Sequence, residues 1–96
     1  MRRRYLVGYD IANERRLQHV GKAMKGWGYR IQYSVFLCDL DGIERVAMRE
    51  DLKSLISERE DSVFVLDLGE VDRWNPRRVE VLGVDKGEVP DEPLVF

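Results

Sequence analysis

Asp10 closes a short aromatic and β-branched run, Tyr5-Leu6-Val7-Gly8-Tyr9-Asp10-Ile11, and Arg15 and Arg16 follow it closely. An aspartate at a strand end is, taken alone, most often a cap or a turn residue. A carboxylate among arginines supports two further readings. It can satisfy a half-buried ion pair, or it can hold a hard divalent cation while the arginines grip phosphate oxygens. Arg30, Gln32, Ser34 and Phe36 alternate along a nearby extended segment, and Arg30, Ser34 and Phe36, with Tyr9, are expected to gather around Asp10. One carboxylate per chain is thin for magnesium, which keeps several waters and takes one or two carboxylates. In a symmetric dimer two Asp10 side chains could flank the axis. The chemistry would then be metal-assisted phosphodiester hydrolysis, the ion activating a water and stabilising the developing charge.

The other reactive side chains read as structural. His19 is the only histidine and falls on a helix with no serine or cysteine placed to use it. Cys38, the only cysteine, can form no intrachain disulfide, and with His19 it cannot complete a zinc site. Trp27 and Trp74 read as packing residues. Arg2, Arg3 and Arg4 read equally well as a solvated terminus and as a source of attraction for phosphates.

These groups need elements to hold them. The run ending at Asp10 is a buried strand. Asn13 is a helix N-cap, with Glu14 in the first turn. Leu17, Val20, Met24 and Trp27 then recur on one helical face until Gly26 and Gly28, the latter expected in a left-handed C′ conformation. Residues 29–38 alternate as sheet, either one strand or two meeting near Gln32-Tyr33. Asp39 or Asp41 caps a second helix that runs to about Glu60. Ser62 to Leu68 is a nearly continuous apolar strand, as expected when both sheet faces are covered. Two helices cannot cover both faces of such a sheet, so the second face is expected to pack on another copy. Arg78 to Gly83 reads as a further short strand, 85–91 as a loop, and 93–96 as a last extended piece.

The 96 residues allow one domain, 1–83, with 84–96 as a C-terminal extension that pairs with a partner subunit. A 44% apolar, 35% charged composition excludes a disordered chain, and no run is long enough to span a membrane. A reducing cytoplasm is the expected location. The net charge of −2 hides an asymmetry: the first 30 residues carry eight Lys/Arg against two acids, and residues 39–72 carry eleven Asp/Glu against four Lys/Arg. A phosphate polymer responds to the local field of the basic third.

Two segments together carry a resemblance. Tyr-Leu-Val-Gly-Tyr-Asp-Ile at 5–11, followed by a basic helix and then Gly-Tyr-Arg-Ile-Gln-Tyr-Ser-Val-Phe at 28–36, resembles the CRISPR-associated Cas-two family. Asp61-Ser62-Val63-Phe64-Val65-Leu66-Asp67-Leu68 and Val79-Glu80-Val81-Leu82-Gly83 extend it over nearly the whole chain. The resemblance implies an α+β, ferredoxin-like βαββαβ sandwich with an extra C-terminal strand, in a face-to-face homodimer. It implies endonuclease activity on single-stranded RNA or duplex DNA, dependent on Mg2+ or Mn2+, with Asp10 as catalytic metal ligand. It also implies assembly with a CRISPR integrase subunit that inserts spacers, this chain bridging the DNA. Tyr9, Arg30, Ser34 and Phe36 match family positions near the site, and Arg15 and Arg16 match its basic helix. Position 17 departs, being Leu where relatives often carry Arg. A non-catalytic DNA-bridging scaffold is the main alternative, and a small-molecule regulatory domain of similar shape is a third.

Overall fold

The computed structural model describes residues 1–71 and 79–87. Its elements are β1 (Arg3–Asp10), α1 (Glu14–Lys25), β2 (Tyr29–Gln32), β3 (Val35–Leu40), α2 (Gly42–Leu55) and β4 (Ser62–Glu70). The strands form one antiparallel sheet in the order β2-β3-β1-β4, which gives the expected α+β, ferredoxin-like βαββαβ arrangement.

Local chemistry sets the helix ends. The Asn13 side chain accepts from Arg16 N at 3.0 Å and starts α1. Asp41, not Asp39, caps α2, in a reciprocal box: its carboxylate accepts from Glu44 N at 2.8 Å, and the Glu44 carboxylate accepts from Asp41 N at 3.0 Å. Two expectations at helix C-termini are corrected. α2 stops at Leu55 because Ile56 is already extended, and residues 57–60 form a turn instead of a last helical turn. Gly28 is not left-handed: among the described residues only Gly69 and Gly83 have positive φ. Gly28 is needed for space, since a Cβ there would run into the Leu37 carbonyl and the Cys38 sulfur.

Register assigns every strand residue to a face. Tyr5, Val7 and Tyr9 of β1 face the helices together with Phe36, Cys38 and Leu40 of β3, and they enclose a core with Val20 and Met24 of α1 and Met48 and Leu52 of α2. Leu6, Gly8 and Asp10 point to the other face, opposite Leu66, Phe64 and Ser62 of β4. Among the described residues no helix covers that face, and Phe64 and Leu66 are each about half exposed there, at 52% and 51%. Among the described residues the helices thus leave one face of β4 open, the face expected to pack on another copy. The Phe64 ring lies against Gly8, in the space that a Cβ there would take. Further along this face Arg4 and Asp39, directly opposed across β1 and β3, form a buried bidentate pair with Nη2–Oδ2 at 2.6 Å. The strand expected from Arg78 is not formed over residues 79–83, which have no regular structure. Residue 78 and the terminal piece at 93–96 lie outside the described residues.

Candidate functional site

Asp10 is exposed at the end of β1, on the sheet face that bears Phe64 and Leu66. It makes no hydrogen bond or ion pair among the described residues. Hydrogen bonds from three groups fix the turn beside it, all accepted by Asp61. The Arg16 Nε donates at 2.8 Å, the Ala12 N–H at 2.9 Å and the Ser57 N–H at 2.7 Å. Arg16 also reaches Glu60 at 2.9 Å. The Arg16 guanidinium and the two backbone N–H groups hold the Asp61 carboxyl well below the usual carboxylate range. Asp61 thus ties the start of α1 and the end of α2 to β4, whose Ser62 pairs with Asp10.

The expected neighbours of Asp10 divide between two places. Tyr9, adjacent in sequence, points to the helix side. Its ring stacks on Phe36 with centroids 6.2 Å apart, and its hydroxyl lies 3.4 Å from the Tyr33 carbonyl. Arg30 pairs with Phe36 across β2 and β3 and sets its guanidinium 5.1 Å from that ring and 5.7 Å from the Tyr33 ring. Burial pushes the Tyr9 phenol above its ordinary value, opposed by the nearby Arg30 charge, so it stays a neutral hydroxyl. Residues 29–38 do not continue as one strand. The chain turns at Tyr33-Ser34, so Ser34 is not on the Arg30 face of a strand; its carbonyl accepts from Tyr9 N at 3.1 Å. Tyr9, Arg30 and Phe36 therefore form one cluster under α1, and Asp10 stands on the opposite side of the sheet.

The arginines of the basic third are mostly engaged inside the fold. Arg2 pairs with Glu44 at 2.8 Å, Arg3 with Asp67 at 2.9 Å, Arg4 with Asp39, and Arg16 with Asp61 and Glu60. The acids all come from residues 39–72, because β1 pairs with both β3 and β4. Charge complementarity between those two segments was the signal for Asp39 and Asp61, which the sequence reading missed. Arg15, Lys22 and Lys25 remain exposed on α1 without ion pairs among the described residues. His19 is exposed there too. Cys38 is buried, with its thiol pushed up to about 12 by desolvation and the Asp39 charge, as befits a core residue.

Among the described residues no three His, Cys, Asp or Glu side chains converge, so a divalent ion at Asp10 would find no ready-made cage among them. An exposed carboxylate with no competing cation among the described residues fits an ion that keeps most of its waters. It does not make a complete protein cage.

Residues 1–75 match the family described as CRISPR associated protein Cas2. The chain belongs to the Cas2 family. A relative in Thermodesulfovibrio yellowstonii, named CRISPR-associated endoribonuclease Cas2 2, is 44% identical over all of this chain and 99% of its own length. Another in Rhodospirillum rubrum, CRISPR-associated endoribonuclease Cas2 1, is 52% identical over 68% of this chain and 64% of its own length. The crystal structure of Streptococcus pyogenes Cas2 superposes with a TM-score of 0.72 at 39% identity, covering 83% of this chain and 99% of that one. The Cas2 likeness thus spans the whole sheet and both helices, including the β1 end that carries Asp10. No helix among the described residues is long and apolar enough to cross a membrane.

Proposed function

We propose that this Cas2 family member acts in CRISPR spacer acquisition and is an endonuclease that hydrolyses RNA or DNA phosphodiesters, with Asp10 holding a Mg2+ or Mn2+ ion. The observation that carries this reading is Asp10 itself: an exposed carboxylate, unpaired among the described residues, on the sheet face that none of their helices covers. The names of the relatives, endoribonuclease in the two cited above, support the reaction class.

A bound ion would supply Lewis acidity and lower the pKa of a coordinated water. This chain's own part is to hold the ligand. Asp61 fixes the turn between β1 and α1, and the β1–β4 pairing fixes Asp10 beside Ser62. Two copies joined through the Phe64 and Leu66 face would bring a second Asp10 to the same side. The working unit is therefore a homodimer, and a CRISPR integrase subunit is the partner through which it would serve acquisition in the cell.

The test is a nuclease panel of single-stranded RNA and duplex DNA with Mg2+, Mn2+ or EDTA, comparing wild type with Asp10→Asn. The expected result is cleavage by wild type, abolished by EDTA and reduced at least a hundredfold in a variant that still dimerises. Undiminished cleavage by the purified variant rules out the metal-ligand role.

A second reading, a non-catalytic DNA-bridging scaffold for the integrase, is favoured by the exposed cations Arg15, Lys22 and Lys25 on α1. It requires that Asp10→Asn support full spacer acquisition, which the nuclease reading does not.

A further inference from the structure

Arg15 and Arg16 follow Asp10 closely in the chain, yet Asp10 makes no ion pair among the described residues. Arg16 is held elsewhere, by two acids. Its Nε donates to Asp61 Oδ2 at 2.8 Å and its Nη2 to Asp61 Oδ1 at 3.2 Å, a two-pronged fork. The same Nη2 donates to Glu60 at 2.9 Å. Asp61 is fixed independently of the arginine, because the N–H groups of Ala12 and Ser57 donate to it at 2.9 and 2.7 Å. Its side chain has no exposed surface, whereas that of Glu60 is 61% exposed. A forked, charge-assisted pair to a carboxylate already in place is the strong kind.

The location of this pair bears on Asp10. Asp61 precedes Ser62, the cross-strand partner of Asp10, so the Cα atoms of Asp61 and Asp10 lie no more than about 9 Å apart. Asp10 is the last residue of β1 and Asp61 lies just before β4, so no further strand residue stands between them. A guanidinium released from Asp61 would therefore have the Asp10 carboxylate close by. At one carboxylate, an arginine and a divalent ion compete for the same oxygens.

We propose that Asp61 and Glu60 hold Arg16 away from Asp10 and so keep Asp10 open to a divalent cation. Asp61 is then a positioning residue that acts on Asp10 through Arg16. The proposal rests on the metal-ligand reading of Asp10 above. An Asp61 that served the turn alone would behave differently, since removing Arg16 could not make good its loss.

The test measures Mn2+ binding by electron paramagnetic resonance, on the full chain without nucleic acid. Glu60→Gln/Asp61→Asn releases Arg16 and is expected to bind Mn2+ about three- to sixfold more weakly, the loss that an exposed ion pair at Asp10 would cause. Adding Arg16→Gln is expected to restore the affinity. Adding Arg15→Gln, which changes the net charge equally, is expected not to. Undiminished binding by the releasing variant overturns the proposal. So does a failure of Arg16→Gln to restore binding, or equal recovery with Arg15→Gln. If the releasing variant does not fold, Arg16→Gln alone decides: it is expected to bind at least as well as wild type, and weaker binding overturns the proposal.

A second measurement needs no metal. In EDTA, Asp10→Asn is expected to lower the urea midpoint of the releasing variant, and to lower it less once Arg16→Gln is also present. Equal effects in the two backgrounds overturn the proposal. A wild type that binds no Mn2+ defeats the metal reading, and the coupling in EDTA still decides whether Arg16 is held off Asp10.

Discussion

At Asp61 the Arg16 guanidinium and the backbone N–H groups of Ala12 and Ser57 meet one carboxylate, whose side chain has no exposed surface. Its pKa is depressed in the folded protein, chiefly by Arg16. The unfolded value is about 3.9. A depressed folded value means the stabilisation is fully present above the unfolded pKa and is lost as pH falls through the folded one. Asp61→Asn should therefore lower the urea midpoint at neutral pH, and the gap to wild type should close as pH drops below about 4. Urea titrations in steps of falling pH check this; a gap that persists undiminished in strong acid would mean the carboxylate charge is not what stabilises the turn. The same residue shows what the sequence hides. Arg16 stood out as a phosphate ligand because arginine beside a strand-end aspartate is visible, whereas its partner lies 45 positions away. Tyr9 and Asp10 are a different case: the two-residue period of a strand puts neighbours on opposite faces, so their separation was legible from spacing alone.

The elements were more legible than the site, because their signals are local. The Asn13 cap, the Asp41 box and the alternation of β4 are each written within a few residues. The break at Tyr33-Ser34 carries neither glycine nor proline, so the sequence leaves one strand and two both open, and the β2–β3 pairing decides for two. Gly28 sits between, recognisable as a helix stop but for a different reason than the one expected. It passes directly over β3, where a methyl group would meet the Leu37 carbonyl and lie 2.6 Å from the Cys38 sulfur. A backbone carbonyl in a central strand cannot swing aside as a side-chain end can. Gly28→Ala is thus expected to destabilise by about 1–3 kcal/mol through overpacking. Gly42→Ala, at the start of α2 with nothing within 4 Å of its Cβ, is expected to be neutral or to stabilise by about 0.4–1 kcal/mol. Urea denaturation of both variants checks the contrast. Similar midpoints would show that the α1–β2 junction relaxes away from β3.

For the molecule as a whole, the decisive asymmetry is between the two faces of one sheet. Both helices pack on the face of Tyr5, Val7 and Tyr9, leaving Leu6, Phe64 and Leu66 on the face that carries Asp10. Burial of a large apolar side chain contributes about 1.5–3 kcal/mol, and in a twofold interface each residue counts twice. Phe64→Ser/Leu66→Ser should therefore weaken self-association on the order of a hundredfold or more, read by sedimentation velocity across a dilution series. The core Val20, Met24, Met48 and Leu52 is untouched, so the circular dichroism of the folded chain should persist. Activity should follow assembly. Cleavage should fall with the dimer, because one chain presents only one Asp10. A variant that stays dimeric would place the interface elsewhere. A monomer that cleaves like wild type would show that one Asp10 suffices, and the symmetry argument for the metal site would go with it.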